Sequence, residues 1–167
     1  MTGDAGGSGL LSDPGTYALI LASAEPRCLR IGRLGDLAVR PGWYVYVGSA
    51  FGPGGVGARL AHHRKRATRL HWHVDHLRLH TRLERVWYTH DPARREHQWA
   101  QVMQQLPGAE MPRHGFGSSD CTCASHLVYF VRRPSFRRFQ RAIRSLFPEH
   151  APIRSIAAAQ KGRHAPL

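Results

Sequence analysis

The run from Trp43 to Gly48, followed at once by a glycine-rich loop, constrains this chain more than any other segment. Trp43, Tyr44, Val45, Tyr46 and Val47 mix aromatic and β-branched residues, which pack well on a pleated surface and lose side-chain freedom in a helix. Gly48 closes the run, and Gly52, Pro53, Gly54 and Gly55 prevent its continuation. Val56, Leu60 and His63 then recur at helical spacing toward a basic end at Arg64, Lys65 and Arg66. A strand that passes through a tight loop into a helix is the seed of a mixed α and β domain.

The same reading extends outward. Tyr17 to Ala22 and Cys28 to Arg33 read as strands around a turn at Glu25 and Pro26, and together they suggest a hairpin. Leu83 to Thr89 and His126 to Val131 read as further strands, and His71 to Leu79 as a helix. Asp91-Pro92 has the form of an N-cap followed by a first-turn proline, opening a helix toward Gln105. Pro134-Ser135 opens a last helix with a Phe136, Phe139, Ile143, Phe147 stripe and Arg137, Arg138, Arg141 and Arg144 largely elsewhere. With 167 residues the chain is long enough for one core. The expectation is an α+β fold: a small, mainly antiparallel central sheet near Tyr17, Tyr46 and either Val86 or Val128, flanked by helices. Residues 1–14 read as a disordered segment, 15–148 as the domain and 149–167 as a loosely ordered basic tail.

A formal charge of +13 favours a polyanionic partner. The excess is almost entirely arginine, since Lys65 and Lys161 are the only lysines, and the planar guanidinium fork suits phosphate. DNA is the expected partner, with RNA offering the same phosphate, and Arg64, Lys65, Arg66, Arg137, Arg141 and Arg144 are the expected contacts. No run approaches the roughly 18 apolar residues of a membrane span, and the first residues lack the basic and apolar regions of a signal peptide. The sequence therefore reads as cytoplasmic, with no membrane partner. Cys28, Cys121 and Cys123 are too few for a disulfide framework.

Two tyrosines stand beside glycines, in Gly15-Thr16-Tyr17 and Tyr46-Val47-Gly48, and Arg59 follows on a helix with His63 one turn later. Further on, Glu96 shares a helix face with Trp99, Ala100 and Met103, an apolar setting in which a carboxylate needs a partner. In order and in element type this set resembles the GIY-YIG nuclease superfamily. The segment Cys28 to Val39 departs from the usual short connection between the two motifs, but it is similar to a subgroup with a long insertion there. Some members of that subgroup are joined to endonuclease III-type repair glycosylases, which implies a repair-protein partner.

The resemblance implies a metal-dependent DNA endonuclease acting in repair or in processing of DNA structures. Tyr17, Tyr46, Arg59, His63 and Glu96 would form the catalytic set, with Glu96 holding Mg²⁺ or Mn²⁺ through hard oxygen. Arg59 would clamp phosphate oxygens, Tyr17 or His63 would take the proton of the attacking water, and Tyr46 would position phosphate or water. Asp120 is a further candidate at the rim.

Two other readings compete with catalysis. One is a non-catalytic nucleic-acid-binding module of the same fold. The other is a protein-interaction module stabilised by Zn²⁺ on His71, His73, Cys121, Cys123 and His126, although a Cys-x-Cys pair is shorter than the usual structural spacing.

Overall fold

A strand that is apolar on both faces must lie at the centre of a sheet, and Gly15–Ser23 (β1) does so. The computed structural model describes residues 10–65, 68–118 and 123–158. Both edges of β1 are taken, one by Gly42–Ala50 (β4) and the other by Arg82–Thr89 (β5). Leu127–Phe130 (β6) adds to β4 and Arg154–Ala157 (β7) to β5, giving the antiparallel order β6-β4-β1-β5-β7. The strands near Val86 and near Val128 thus both join the central sheet.

Alternation along the strands divides the core into two layers. Tyr17, Leu19, Leu21, Tyr44, Tyr46, Val86 and Tyr129 point to one face. Gly55–Arg64 (α1) and His73–Arg78 (α2) cover that face through Val56, Leu60, Val74 and Leu77. Ala18, Ile20, Val45, Val47, Trp87 and Val128 point the other way, against Glu96–Gln105 (α3) and Phe136–Leu146 (α4). Trp99 and Phe139, both fully buried, meet edge to face with centroids 5.0 Å apart. Burial of each contributes about 2 kcal/mol.

The expected hairpin between Tyr17–Ala22 and Cys28–Arg33 does not form. Because β1 has no free edge, Arg27–Ile31 (β2) pairs instead with Gly35–Val39 (β3) as a separate two-stranded ribbon. Most of β2 is exposed, and the ribbon is anchored through Ile31, Leu37 and Val39.

The cap expected at Asp91 is also corrected, since α3 begins at Glu96 with Arg95 at its N-cap position. The buried Asp91 carboxylate instead accepts the N–H groups of Ala93 and Ala151 and faces the Arg95 guanidinium at 3.1 Å.

Both expected loose ends contribute structure. Leu10–Ser12 forms a 3-10 turn against α1, where Val56 N–H donates to the Asp13 carbonyl. A side chain at Gly55 would meet that same carbonyl at 2.2 Å, and its φ of +58° also favours glycine. In the stretch read as a tail, Arg154–Ala157 is a sheet strand because its backbone satisfies the free edge of β5.

Candidate active site

Antiparallel pairing gathers one end of each strand at the same end of the sheet: the start of β1, the close of β4 and the start of β6. Tyr17 lies across from Gly48, and Leu19 across from Tyr46, so the two phenols are diagonal neighbours on the face covered by α1. The glycine is required there, because a Cβ at Gly48 would lie 2.5 Å from the Tyr17 hydroxyl.

α1 passes over these rings with Arg59 and His63 one turn apart. His63 is 1% exposed, and its Nε2 lies 2.8 Å from the Tyr17 hydroxyl. Tyr46 meets the same imidazole edge to face at 6.4 Å. The Arg59 guanidinium rests on the Trp72 ring, 4.4 Å from its centroid, and is therefore held in place while partly exposed. Trp72 is set in turn by Asp75, whose carboxylate accepts the N–H groups of His71 and Trp72 and bonds His62 Nε2 at 2.9 Å.

α3 approaches from the opposite layer, and its start is pinned to β1 where Arg95 N–H donates to Thr16 Oγ1 at 3.2 Å. Glu96 follows, about a quarter exposed, with Oε1 2.8 Å from His126 Nδ1. His126 is fixed because its carbonyl accepts the N–H of Val47, next to Tyr46.

Burial sets the electrostatics of the group. It lifts the Tyr17 phenol well above its usual 10, with Tyr46, Glu96 and Asp75 acting in the same direction and Arg59 opposing. Tyr46 is also raised, first by burial and then by Glu96, again against Arg59. His63 is held down to about 3, mainly by burial, with His62, Arg78 and Arg59 adding to the effect and Asp75 opposing it. All five residues singled out from sequence therefore share one electrostatic environment, in which both phenols are protonated and His63 is neutral at pH 7.

A family model described as a domain of unknown function, DUF123, matches residues 16–147. The chain belongs to the DUF123 family. No curated protein and no solved structure matches it. The matched part of the DUF123 domain begins beside Tyr17 and contains every residue of the cluster, whereas β7 lies beyond it.

Among the described residues, His71 and His73 of the expected zinc set are engaged elsewhere than with Cys123 and His126. His71 packs on Trp72, and His73 accepts the Gly117 N–H at 2.9 Å, its ring against Phe116. Cys123 and His126 meet His97 instead, on the first turn of α3. Cys121, Asp120 and Arg66 lie outside the described residues. Sequence reasoning missed His97, whose only signal was its place beside Glu96 and one turn from the buried Ala100.

The described residues among the expected DNA contacts of the DUF123 domain occupy two surfaces. Arg137, Arg141 and Arg144 are exposed on α4, while Arg64 and Lys65 end α1 on the opposite side of the sheet. Arg64 and Lys65 border a recess that Arg27, Arg78, Arg82 and Arg85 also line. Arg78 is committed to the His63 and Thr81 carbonyls. Among the described residues no helix is long and apolar enough to cross a membrane.

Proposed function

We propose that this domain is a divalent-metal-dependent DNA endonuclease of the GIY-YIG type, acting on DNA in the cytoplasm. The observation that carries the reading is the 2.8 Å contact between Tyr17 and a neutral His63, with Tyr17 within the fields of both Arg59 and Glu96. The resemblance of the Gly15-Thr16-Tyr17 and Tyr46-Val47-Gly48 segments supports it, and so does the net charge of +13.

Phosphodiester hydrolysis needs a proton acceptor for water, a partner for phosphate charge and relief for the leaving oxygen. In the tautomer that leaves His63 Nε2 bare, the Tyr17 O–H donates to it. Tyr17 can then accept a proton from water as it passes its own to His63, so no free phenolate is required. A bound phosphodiester strengthens this base, because its negative charge opposes the Arg59 and Arg78 charges that help to hold His63 low. Arg59, stacked on Trp72, presents its guanidinium to non-bridging oxygens without losing much side-chain freedom. Tyr46 remains protonated and donates to phosphate.

Glu96 suits Mg²⁺ or Mn²⁺: it is one hard carboxylate, partly open to water and oriented by His126. Such an ion supplies charge for the leaving oxygen and an acidified water.

The test is cleavage of a panel of linear, flapped and branched DNAs with Mg²⁺, Mn²⁺ or chelator. Metal-dependent cutting that Glu96→Gln abolishes, with DNA binding retained, is the expected result. Binding without cutting on every substrate would leave a nucleic-acid-binding module.

A further inference from the structure

Three soft or borderline donors meet beside Glu96. The ligand atoms of His97, Cys123 and His126 all lie within 4.8 Å of one another, and His97 Nδ1 is 2.9 Å from Cys123 Sγ. The three come from two parts of the chain: His97 from the first turn of α3, and Cys123 and His126 from the segment that leads into β6. Three fixed features converge them. Gln104 of α3 donates to the Ser125 carbonyl, His126 N–H donates to the Phe116 carbonyl, and Glu96 holds the His126 ring.

We propose that His97, Cys123 and His126 bind one zinc ion. This site is distinct from the hard-oxygen site on Glu96, and it stands whether or not the domain cuts DNA. Thiolate and imidazole select zinc over magnesium. Zinc takes sulfur at about 2.3 Å and nitrogen at about 2.0 Å, so tetrahedral donors sit about 3.5 Å apart, and the present cluster reaches that spacing by shifts of about 1 Å. On binding, the Cys123 thiol would release its proton to solvent and both imidazoles would ligate as neutral rings. A carboxylate on one nitrogen of a ligating histidine is the usual outer partner of such sites, and Glu96 supplies it on His126 Nδ1. Burial runs from exposed His97 through partly exposed Cys123 to buried His126, so the ion would be approached from the His97 side.

A second group, His62, His63 and Asp75, is also close enough to share an ion. Its donors are engaged with Tyr17 and with backbone N–H groups, so it serves as the control.

The test is the metal content of full-length protein purified without added metal, followed by titration with zinc. About one zinc per chain is expected, falling at least about tenfold in His97→Ala and in Cys123→Ser and unchanged in His62→Ala. His97 is exposed, so its substitution leaves the core intact even where Cys123→Ser fails to fold. Cobalt-loaded protein should show a thiolate charge-transfer band that persists in Cys28→Ser and disappears in Cys123→Ser. Failure to take up zinc, retention of zinc in His97→Ala, its loss in His62→Ala, or iron or copper in its place would each overturn the assignment. Because no substrate is involved, a failure here leaves the nuclease reading untouched.

Discussion

The ring of Tyr17 lies across Gly48 on the neighbouring strand, in the space that any side chain at position 48 would occupy. The glycine beside the second tyrosine is thus part of how the first is seated. Gly48→Ala should cost about 1–3 kcal/mol by forcing the phenol off His63. In a double-mutant cycle, Tyr17→Ala should relieve most of that cost, because the colliding ring is gone. Chemical denaturation of the four proteins measures the coupling, and simple additivity would show that the contact is soft.

Within the proposed nuclease, removing the Tyr17 hydroxyl without making a cavity should slow the chemical step by roughly 10² to 10⁴-fold in Tyr17→Phe. Arg59→Lys keeps the charge but loses the flat stack on Trp72, and should lower the rate while sparing fold stability. Single-turnover cleavage and thermal melting separate the two effects.

His63 is folded as the neutral imidazole, with its proton affinity lowered to about 3 from an ordinary 6.5. Below pH 6.5 the unfolded chain takes up a proton that the folded chain refuses, so the contribution is complete above 6.5 and is lost progressively toward 3. Between pH 6.5 and 5, stability should fall by roughly 2 kcal/mol more in the wild type than in His63→Gln. Denaturation midpoints at the two pH values provide the check, and parallel curves would show that the histidine is hydrated.

Asp91 also loses its contribution as the pH falls, but in a lower window and for a different reason. Burial alone would raise its carboxyl, but the N–H groups of Ala151 and Ala93 and the Arg95 guanidinium together hold it below its ordinary 3.8. Its contribution is therefore complete above about pH 4 and is lost as the pH falls further. Asp91→Ala removes the buried one of Arg95's two acidic partners and the acceptor of the Ala93 and Ala151 N–H groups, and should cost about 3 kcal/mol, read as a lower denaturation midpoint at neutral pH.

For DNA binding, neutralising Arg137, Arg141 and Arg144 should reduce the dependence of log affinity on log salt by about one unit for each phosphate that is no longer paired with a guanidinium. These side chains are exposed, so stability should hold. A salt slope equal to that of the wild type would move the DNA surface to Arg64 and Lys65.

Periodicity made much of this legible. The mixed aromatic run at Trp43–Val47 and the Phe136–Phe147 stripe marked β4 and α4 because each buries a whole face. Glu96 could be singled out because a carboxylate beside Trp99 and Ala100 contradicts its surroundings. What stayed hidden depended on distant pairing. The partner of β2 could not be read locally, since its mostly exposed residues carry little pattern and only the occupied edges of β1 exclude the nearer choice. Asp91-Pro92 imitates a cap, and the decisive N–H comes from Ala151, 60 positions later. The meeting of His97 with Cys123 has the same character, across 26 positions.

β1 is hydrogen-bonded along both edges, whereas α3 starts without a side-chain cap of its own and is tied to β1 there by the Arg95–Thr16 bond. The amide of Tyr17 therefore exchanges with solvent only when the whole domain opens, while the first turn of α3, which carries Glu96 and His97, exchanges through local fraying. One half of the site is as durable as the fold and the other half is not, so on warming the carboxylate and its neighbouring ligand should come loose before the tyrosines move.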